Sequence, residues 1–319
     1  MSPKEDFEKE DFEIHLYSIF EGIGHIQRGI NIYKFLRKFY KKIKLFIIND
    51  NYQQEKKEKL KELINHQDSI DWDYVNFKTL SNFENKYYIL ILDIRDHDPK
   101  MILQNYTNYS TLCLDNHHER HHSDVDYYFT LPHPQLKESV LDTIRKNFFS
   151  FEYLKALDQL PSKKSGVLVY LGIMSQKTKY HDFLKNPQKI QSLIKQTTNE
   201  VYIIESENFH TPENFYKLLK IVDYVITYPG NLFYEGVFMQ KKIICYDLDS
   251  EIHRNLISKF RKDLKTHHKG IYYLEEKKEI LTFDVFEFQN LDTGKYILST
   301  SYDFLRKWID EKIQSYATK

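Results

Sequence analysis

The sequence predicts an α/β protein built from two parallel sheets, each layered with crossover helices. Short apolar runs alternate with longer segments of helical period along almost the whole chain, the pattern of strands joined by crossover helices. The alternation stops once, at the polar stretch LPSKKSG (160–166), and then starts again. A length of 319 residues leaves room for a core on each side of that break.

In the first half, strands are expected at IHLYSIF (14–20), KLFIIN (44–49), DYVNF (73–77), YYILILD (87–93), TLCLD (111–115) and DYYFTL (126–131). The helix HIQRGINIYKFLRKFYKK places Ile26, Ile30, Tyr33 and Leu36 on one face, and further helices are expected at 51–65 and near 98–107. In the second half, VLVYL (167–171), VYIIE (201–205), YVIT (224–227) and KIICYD (242–247) read as strands. Helices are expected near 187–197, 212–221, 231–239 and 250–261. Each half is thus Rossmann-like, giving domains 1–160 and 161–319. The segment 270–300 has no clear period, and SYDFLRKWIDEKIQSY reads as one amphipathic helix that either closes the second domain or returns to the first.

Composition removes several functions. Lys+Arg 46 balances Asp+Glu 46, so no overall positive field exists to hold nucleic acid. The two cysteines, Cys113 and Cys245, lie in apolar runs as small hydrophobes, which with the absence of a cysteine cluster suggests a cytoplasmic protein. The acidic N-terminus MSPKEDFEKEDFE has no signal-peptide core, and no apolar run approaches the roughly 18 residues of a membrane span.

The stretch DNHHERHHSD (115–124) contains HERHH, a match to the zinc pattern H-E-x-x-H. That pattern needs a helix to bring His118 and His122 to one side of a metal, and here about nine residues between two strands offer no apolar face to pack one. A polar loop at a strand's carboxyl end is the competing reading, and no metal is expected. Asp-x-Asp pairs at Asp96/Asp98 and Asp247/Asp249 are likewise read as coincidence in an acid-rich chain.

SIFEGIGHIQRG (18–29) carries the stronger signal: an apolar strand enters a Gly-x-Gly turn and then a helix, leaving free N–H groups that favour an anion. As a dinucleotide fingerprint it fails where Gln27 replaces the third glycine, although Asp50 ends the second strand as an NAD-binding acid should. The other reading places His25 at the helix start as a general base, against the plain alternative of a solvent-facing histidine. Arg28, one turn on, would orient a carboxylate such as Asp115. The run YKFLRKFYKKIK (33–44) mixes aromatic and basic residues and could make weak peripheral contact with an anionic membrane, unless its aromatics belong to the core.

GIGHIQRGINIYKFL resembles the G-x-G-H-x-x-R-x-x-x-L-A-x-x-L opening of the UDP-sugar hydrolase of pseudaminic acid synthesis, a relative of the spore-coat polysaccharide glycosyltransferases and the MurG-type transferases. Asp115 followed by DVDYYFTLP, and VDYVITYPGNLFYEGVFMQKKIICYDL in the second half, are similar to later blocks of the same group, so the resemblance spans roughly residues 13–262. Two departures stand out. VYLGIMSQK keeps one glycine, Gly172, where the relatives carry a pair, and TYPGN has Pro229 and Gly230 where they have two glycines.

The resemblance implies the GT-B fold, two Rossmann-like domains facing a cleft with a C-terminal helix, and needs no metal or cofactor beyond a UDP-sugar as donor substrate. It implies an acceptor side formed by Gly22, Gly24, Arg28 and Asp115 around His25 as base. The nucleotide would lie on Gly172, Gly230, Asn231 and Leu232, with Glu235 accepting from the ribose hydroxyls. The expected function is glycosyl transfer from a nucleotide sugar to a glycan or lipid-linked acceptor in surface polysaccharide or glycoconjugate synthesis. The alternatives are hydrolysis of a UDP-sugar and nucleotide-sugar binding without catalysis.

Overall fold

The computed structural model describes residues 12–20, 23–49, 70–84, 86–94, 97–114, 122–129, 148, 166–172, 178–194, 200–205, 212–239, 241–249, 271–277, 280–286 and 296–318, together with 58, 60, 61, 64, 251, 254, 255, 257 and 258. The chain divides into two compact units, Met1–Leu131 with Ser299–Lys319, and Pro132–Leu298. The break read from composition near residue 160 falls outside the described residues.

The first unit is organised on β1 (Phe12–Ile19), α1 (Ile23–Leu36), β2 (Ile43–Ile48), β3 (Trp72–Val75), β4 (Tyr87–Asp93), α2 (Lys100–Leu103), β5 (Tyr109–Leu114) and β6 (Tyr127–Phe129). The strands form a parallel sheet of order β3-β2-β1-β4-β5-β6. β1 and β4 are central strands covered on both faces: every residue of β4 is buried, and every residue of β1 except Glu13. Ile26, Ile30, Tyr33 and Leu36 of α1 are all buried, as their spacing requires. The other face carries an aromatic core in which Tyr17, Phe46, Tyr88 and Tyr106 pack together. His15 is buried there, its Nδ1 2.6 Å from the Tyr106 hydroxyl.

The second unit contains β7 (Val167–Gly172), α3 (His181–Leu184), α4 (Pro187–Ile194), β8 (Val201–Glu205), α5 (Pro212–Ile221), β9 (Tyr224–Thr227), α6 (Asn231–Phe238), β10 (Lys242–Cys245), β11 (Ile271–Lys277) and β12 (Ile280–Phe286). Its sheet has the order β12-β11-β10-β9-β7-β8 and is parallel except for the β11/β12 hairpin. That hairpin lies in the segment whose pattern was unclear. Its two connecting residues, Lys278 and Glu279, include neither the glycine nor the asparagine that usually marks a tight hairpin turn.

The final helix, α7 (Tyr296–Ala317), belongs to the first unit. Tyr302 packs on Phe35 at 4.7 Å between ring centroids, the Arg306 guanidinium lies 4.0 Å over Phe39, and Tyr316 stacks on Tyr87 at 4.2 Å. The Tyr40 hydroxyl donates to Asp310 at 2.7 Å. Aromatic residues of the 33–44 run therefore pack inside the unit, where a membrane-facing role had been one expectation. Among the described residues no helix is long and apolar enough to cross a membrane.

Close approach of α1 to β1 depends on Gly29. A Cβ there would overlap the buried hydroxyl of Ser18 and stand 3.2 Å from Leu45 Cδ1. Alanine is the better helix former by about 1 kcal/mol, but overpacking a closed core costs about 1 to 3 kcal/mol. Gly29→Ala should therefore show a net loss of up to about 2 kcal/mol in urea denaturation. Adding Ser18→Ala in the same chain should recover part of it, because the hydroxyl is the tightest obstacle.

Candidate functional site

In the first sheet the chain runs from β1 outward through β2 and β3, then returns to place β4 on the other side of β1. The carboxyl ends of β1 and β4 therefore border a topological switch point, the place where open α/β sheets leave a crevice for ligands. Ser18, next to the end of β1, pairs in register with Asp93, the last residue of β4.

Three side chains meet there. His25, in the first turn of α1, sits with Nδ1 2.6 Å from Asp93 Oδ1. Arg28, three residues later on the same helix face, donates from Nε to Asp93 Oδ2 at 2.7 Å and from a terminal nitrogen to Oδ1 at 2.8 Å. His25, Arg28 and Asp93 are all buried. Burial alone would raise the Asp93 carboxyl, but the charge of Arg28, then His25, and the hydrogen bonds from both hold it well below the ordinary range. Asp93 is thus an anion, and an anion 2.6 Å from Nδ1 requires the proton on Nδ1. The 3.2 Å approach of an Arg28 nitrogen to the same Nδ1 is then contact between two donors sharing one oxygen. In the neutral form of the ring the lone pair is then on Nε2.

His25 and Arg28 were expected at this site, whereas Asp93 was read only as the end of a strand. Asp115, the carboxylate expected for Arg28, lies outside the described residues, as do Gly22 and Asp50. Gly24 lies in the first turn of α1 and is exposed. The signal that could have found Asp93 is an ionisable residue closing a central apolar strand, where an unpaired charge would be costly to bury.

The second sheet repeats the layout. β8 lies on one side of β7 and β9 on the other, so the ends of β7 and β9 border its switch point. Gly172 ends β7 with φ of +59°, a conformation natural to glycine. After β9 come Tyr228, Pro229 and Gly230, and the Gly230 carbonyl accepts the first helical bond of α6 from Phe233 N–H at 3.0 Å. Asn231 opens α6, and Leu232 turns a buried side chain into the unit. Glu235 is buried on the same helix, and its Oε1 accepts the Tyr216 hydroxyl at 2.8 Å. Burial pushes the Glu235 carboxyl up to about 8 against the lowering effect of that bond, so it is protonated at neutral pH.

Asp96 lies outside the described residues, and the other acidic residues of the two Asp-x-Asp pairs have partners. Arg254 pairs with Asp249 at 2.9 Å and approaches Asp247 at 3.9 Å, and Asp98 accepts from the Lys100 backbone N–H at 2.9 Å. His118 lies outside the described residues. His122 lies outside any helix and donates its backbone N–H to the Tyr128 hydroxyl at 2.6 Å. Among the described residues no three His, Cys, Asp or Glu groups gather as a metal site.

No protein-family model matches the sequence, and no curated protein matches it. Comparison with solved structures finds distant likenesses. A family 9 glycosyl transferase from Veillonella parvula DSM 2008 is similar at 10% identity over 74% of this chain and 80% of its own, with a TM-score of 0.34. The wall teichoic acid polymerase TagF is similar at 12% identity over 78% of this chain and 72% of its own, with a TM-score of 0.40. A UDP-GlcNAc 2-epimerase from Neisseria meningitidis, bound to UDP-GlcNAc, is similar at 12% identity over 77% and 85%, also with a TM-score of 0.40. Likeness of this degree reaches neither a family nor an activity.

The protonated state of Glu235 has a measurable signature. Between its ordinary value of 4.5 and its folded value of about 8, the unfolded chain releases a proton that the folded chain keeps. The stability contributed by that proton is complete below pH 4.5 and is lost as pH rises through about 8. Relative to Glu235→Gln, the wild type should lose up to about 1.4 kcal/mol per pH unit across that window. Urea denaturation of both proteins at pH 5 and pH 8 measures the difference; an equal gap at both pH values would place Glu235 in the ordinary range.

Proposed function

We propose that the chain is a nucleotide-sugar-dependent glycosyltransferase of surface polysaccharide or glycoconjugate synthesis, with His25 as the general base. The observation that carries this reading is the His25, Asp93 and Arg28 array at the switch point of the first unit. A general base must hold its lone pair toward the substrate and be ready to take a proton near neutral pH. Asp93, fixed by the Arg28 fork, accepts the Nδ1 proton and so commits Nε2 to that role. Asp93 and Arg28 are positioning residues, since both act through the imidazole.

In the proposed step an acceptor hydroxyl, from a glycan or a lipid-linked saccharide, attacks the anomeric carbon. Its proton passes to His25 Nε2, the new carbon–oxygen bond forms, and the bond to the diphosphate breaks with its electron pair leaving on the nucleotide. The second unit supplies the nucleotide contacts through Gly172, Gly230 and the opening turn of α6, whose N–H groups suit a diphosphate. No cofactor takes part in this scheme, and UDP-sugars are the first donors to try. Hydrolysis is the second reading: the resemblance of GIGHIQRG to a UDP-sugar hydrolase favours it, and the same base would serve with water as the nucleophile.

His25→Ala should lower turnover by roughly 10²- to 10⁴-fold, the scale of losing a general base, while nucleotide affinity measured by calorimetry stays near that of the wild type. Unchanged turnover removes His25 from the chemistry. Incubating the wild type with single nucleotide sugars, with and without a glycan acceptor, separates the readings. Acceptor-dependent consumption supports transfer, fast release of free sugar supports hydrolysis, and no reaction with any donor refutes both.

A further inference from the structure

The turn after β9 departs from a simple phosphate cradle in one chemical respect. Pro229 has no N–H, so the backbone loses a donor immediately before Gly230 and α6. The residue before it, Tyr228, lies against both candidate nucleotide glycines. A Cβ at Gly172 would be 3.0 Å from the Tyr228 hydroxyl oxygen, and a Cβ at Gly230 would be 3.2 Å from the edge of its ring. These glycines therefore make room for a phenol at the mouth of β7 and β9.

The ring is held from both sides. Tyr170 lies 6.0 Å away between centroids and Tyr246 5.9 Å away, nearly edge-on at 71°. The Tyr246 hydroxyl in turn donates to the Tyr170 carbonyl at 2.8 Å, tying the two flanking residues together. Burial pushes the Tyr228 hydroxyl up to about 12 against the lowering effect of a hydrogen bond from the Tyr170 side chain, so it keeps its own proton at neutral pH. Glu235, on the helix that follows, is protonated at the same pH and adds no negative charge to repel an anion.

We propose that the Tyr228 hydroxyl donates a hydrogen bond to the diphosphate of the nucleotide, supplying from a side chain the donor that Pro229 removes from the backbone. The inference rests on the second unit being the nucleotide site. It makes Tyr228 a recognition residue for the phosphates and assigns it no contact with the base or ribose. A held phenol donor also suits an anion better than a mobile one, because little ordering remains to be done on binding.

The test compares wild type and Tyr228→Phe, which removes one oxygen and keeps the ring. UDP, CDP, ADP and GDP are titrated by calorimetry, and the matching nucleosides by ligand-observed NMR. The expected result is a loss of roughly tenfold or more in affinity for the diphosphate that binds the wild type, with its nucleoside unaffected. Equal affinity of both proteins for the diphosphate overturns the inference and leaves the nucleotide site standing. Parallel loss of diphosphate and nucleoside also overturns it, since the change is then not directed at phosphate. Tighter diphosphate binding by the variant shows that the hydroxyl obstructs the site, again overturning it. If no diphosphate binds the wild type, the nucleotide reading fails, and this inference with it.

Discussion

The first unit is organised around one buried anion. A carboxylate taken out of water without partners would be untenable, and Asp93 is among the most enclosed polar groups of the sheet. It is kept charged by a two-pronged bond from Arg28 and a third from His25. Satisfying it fixes much else. Both partners must come from one helix face, the start of α1 must lie over the end of β4, and the helix must sit close enough to β1 that only a glycine fits opposite Ser18. Chemistry and architecture meet in that carboxylate, because the bond that neutralises its charge also selects the tautomer of His25.

The sequence displays the sheets more openly than it displays this site. Buried parallel strands announce themselves as apolar runs, and α1 shows its inner face through the spacing of Ile26, Ile30, Tyr33 and Leu36. His25 and Arg28 stand in one short motif and could be read together. Asp93 could not be joined to them, because the link across 65 to 68 residues exists only once β4 lies beside β1. Strand order is a tertiary fact that a lone sequence does not carry. The β11/β12 hairpin was missed for a local reason, its connection lacking turn chemistry, and the destination of α7 depended on which aromatic faces would receive it.

Tyrosine takes a structural and polar part in both units. Its ring fills a core as a hydrophobe would, and its hydroxyl satisfies polar groups that the core must enclose. Tyr106 meets both His15 and Tyr17 in the first unit, while Tyr216 donates to Glu235 in the second. Abundant tyrosine is compatible with a bias in composition, but at these positions the phenol oxygen has definite work. The cluster of Tyr170, Tyr228 and Tyr246 extends that use to the end of the second sheet.

The return of α7 to the first unit has a consequence for biosynthesis. Phe35, Phe39, Tyr40 and Tyr87 are translated early, yet the residues that cover them emerge only after the entire second unit has been made. At roughly 5 to 20 residues per second, that interval is about ten to thirty seconds on the ribosome. During it the earlier unit is an unfinished nascent chain with an aromatic face awaiting its cover. Folding of this protein is therefore not strictly vectorial: the unit whose synthesis begins first is completed last.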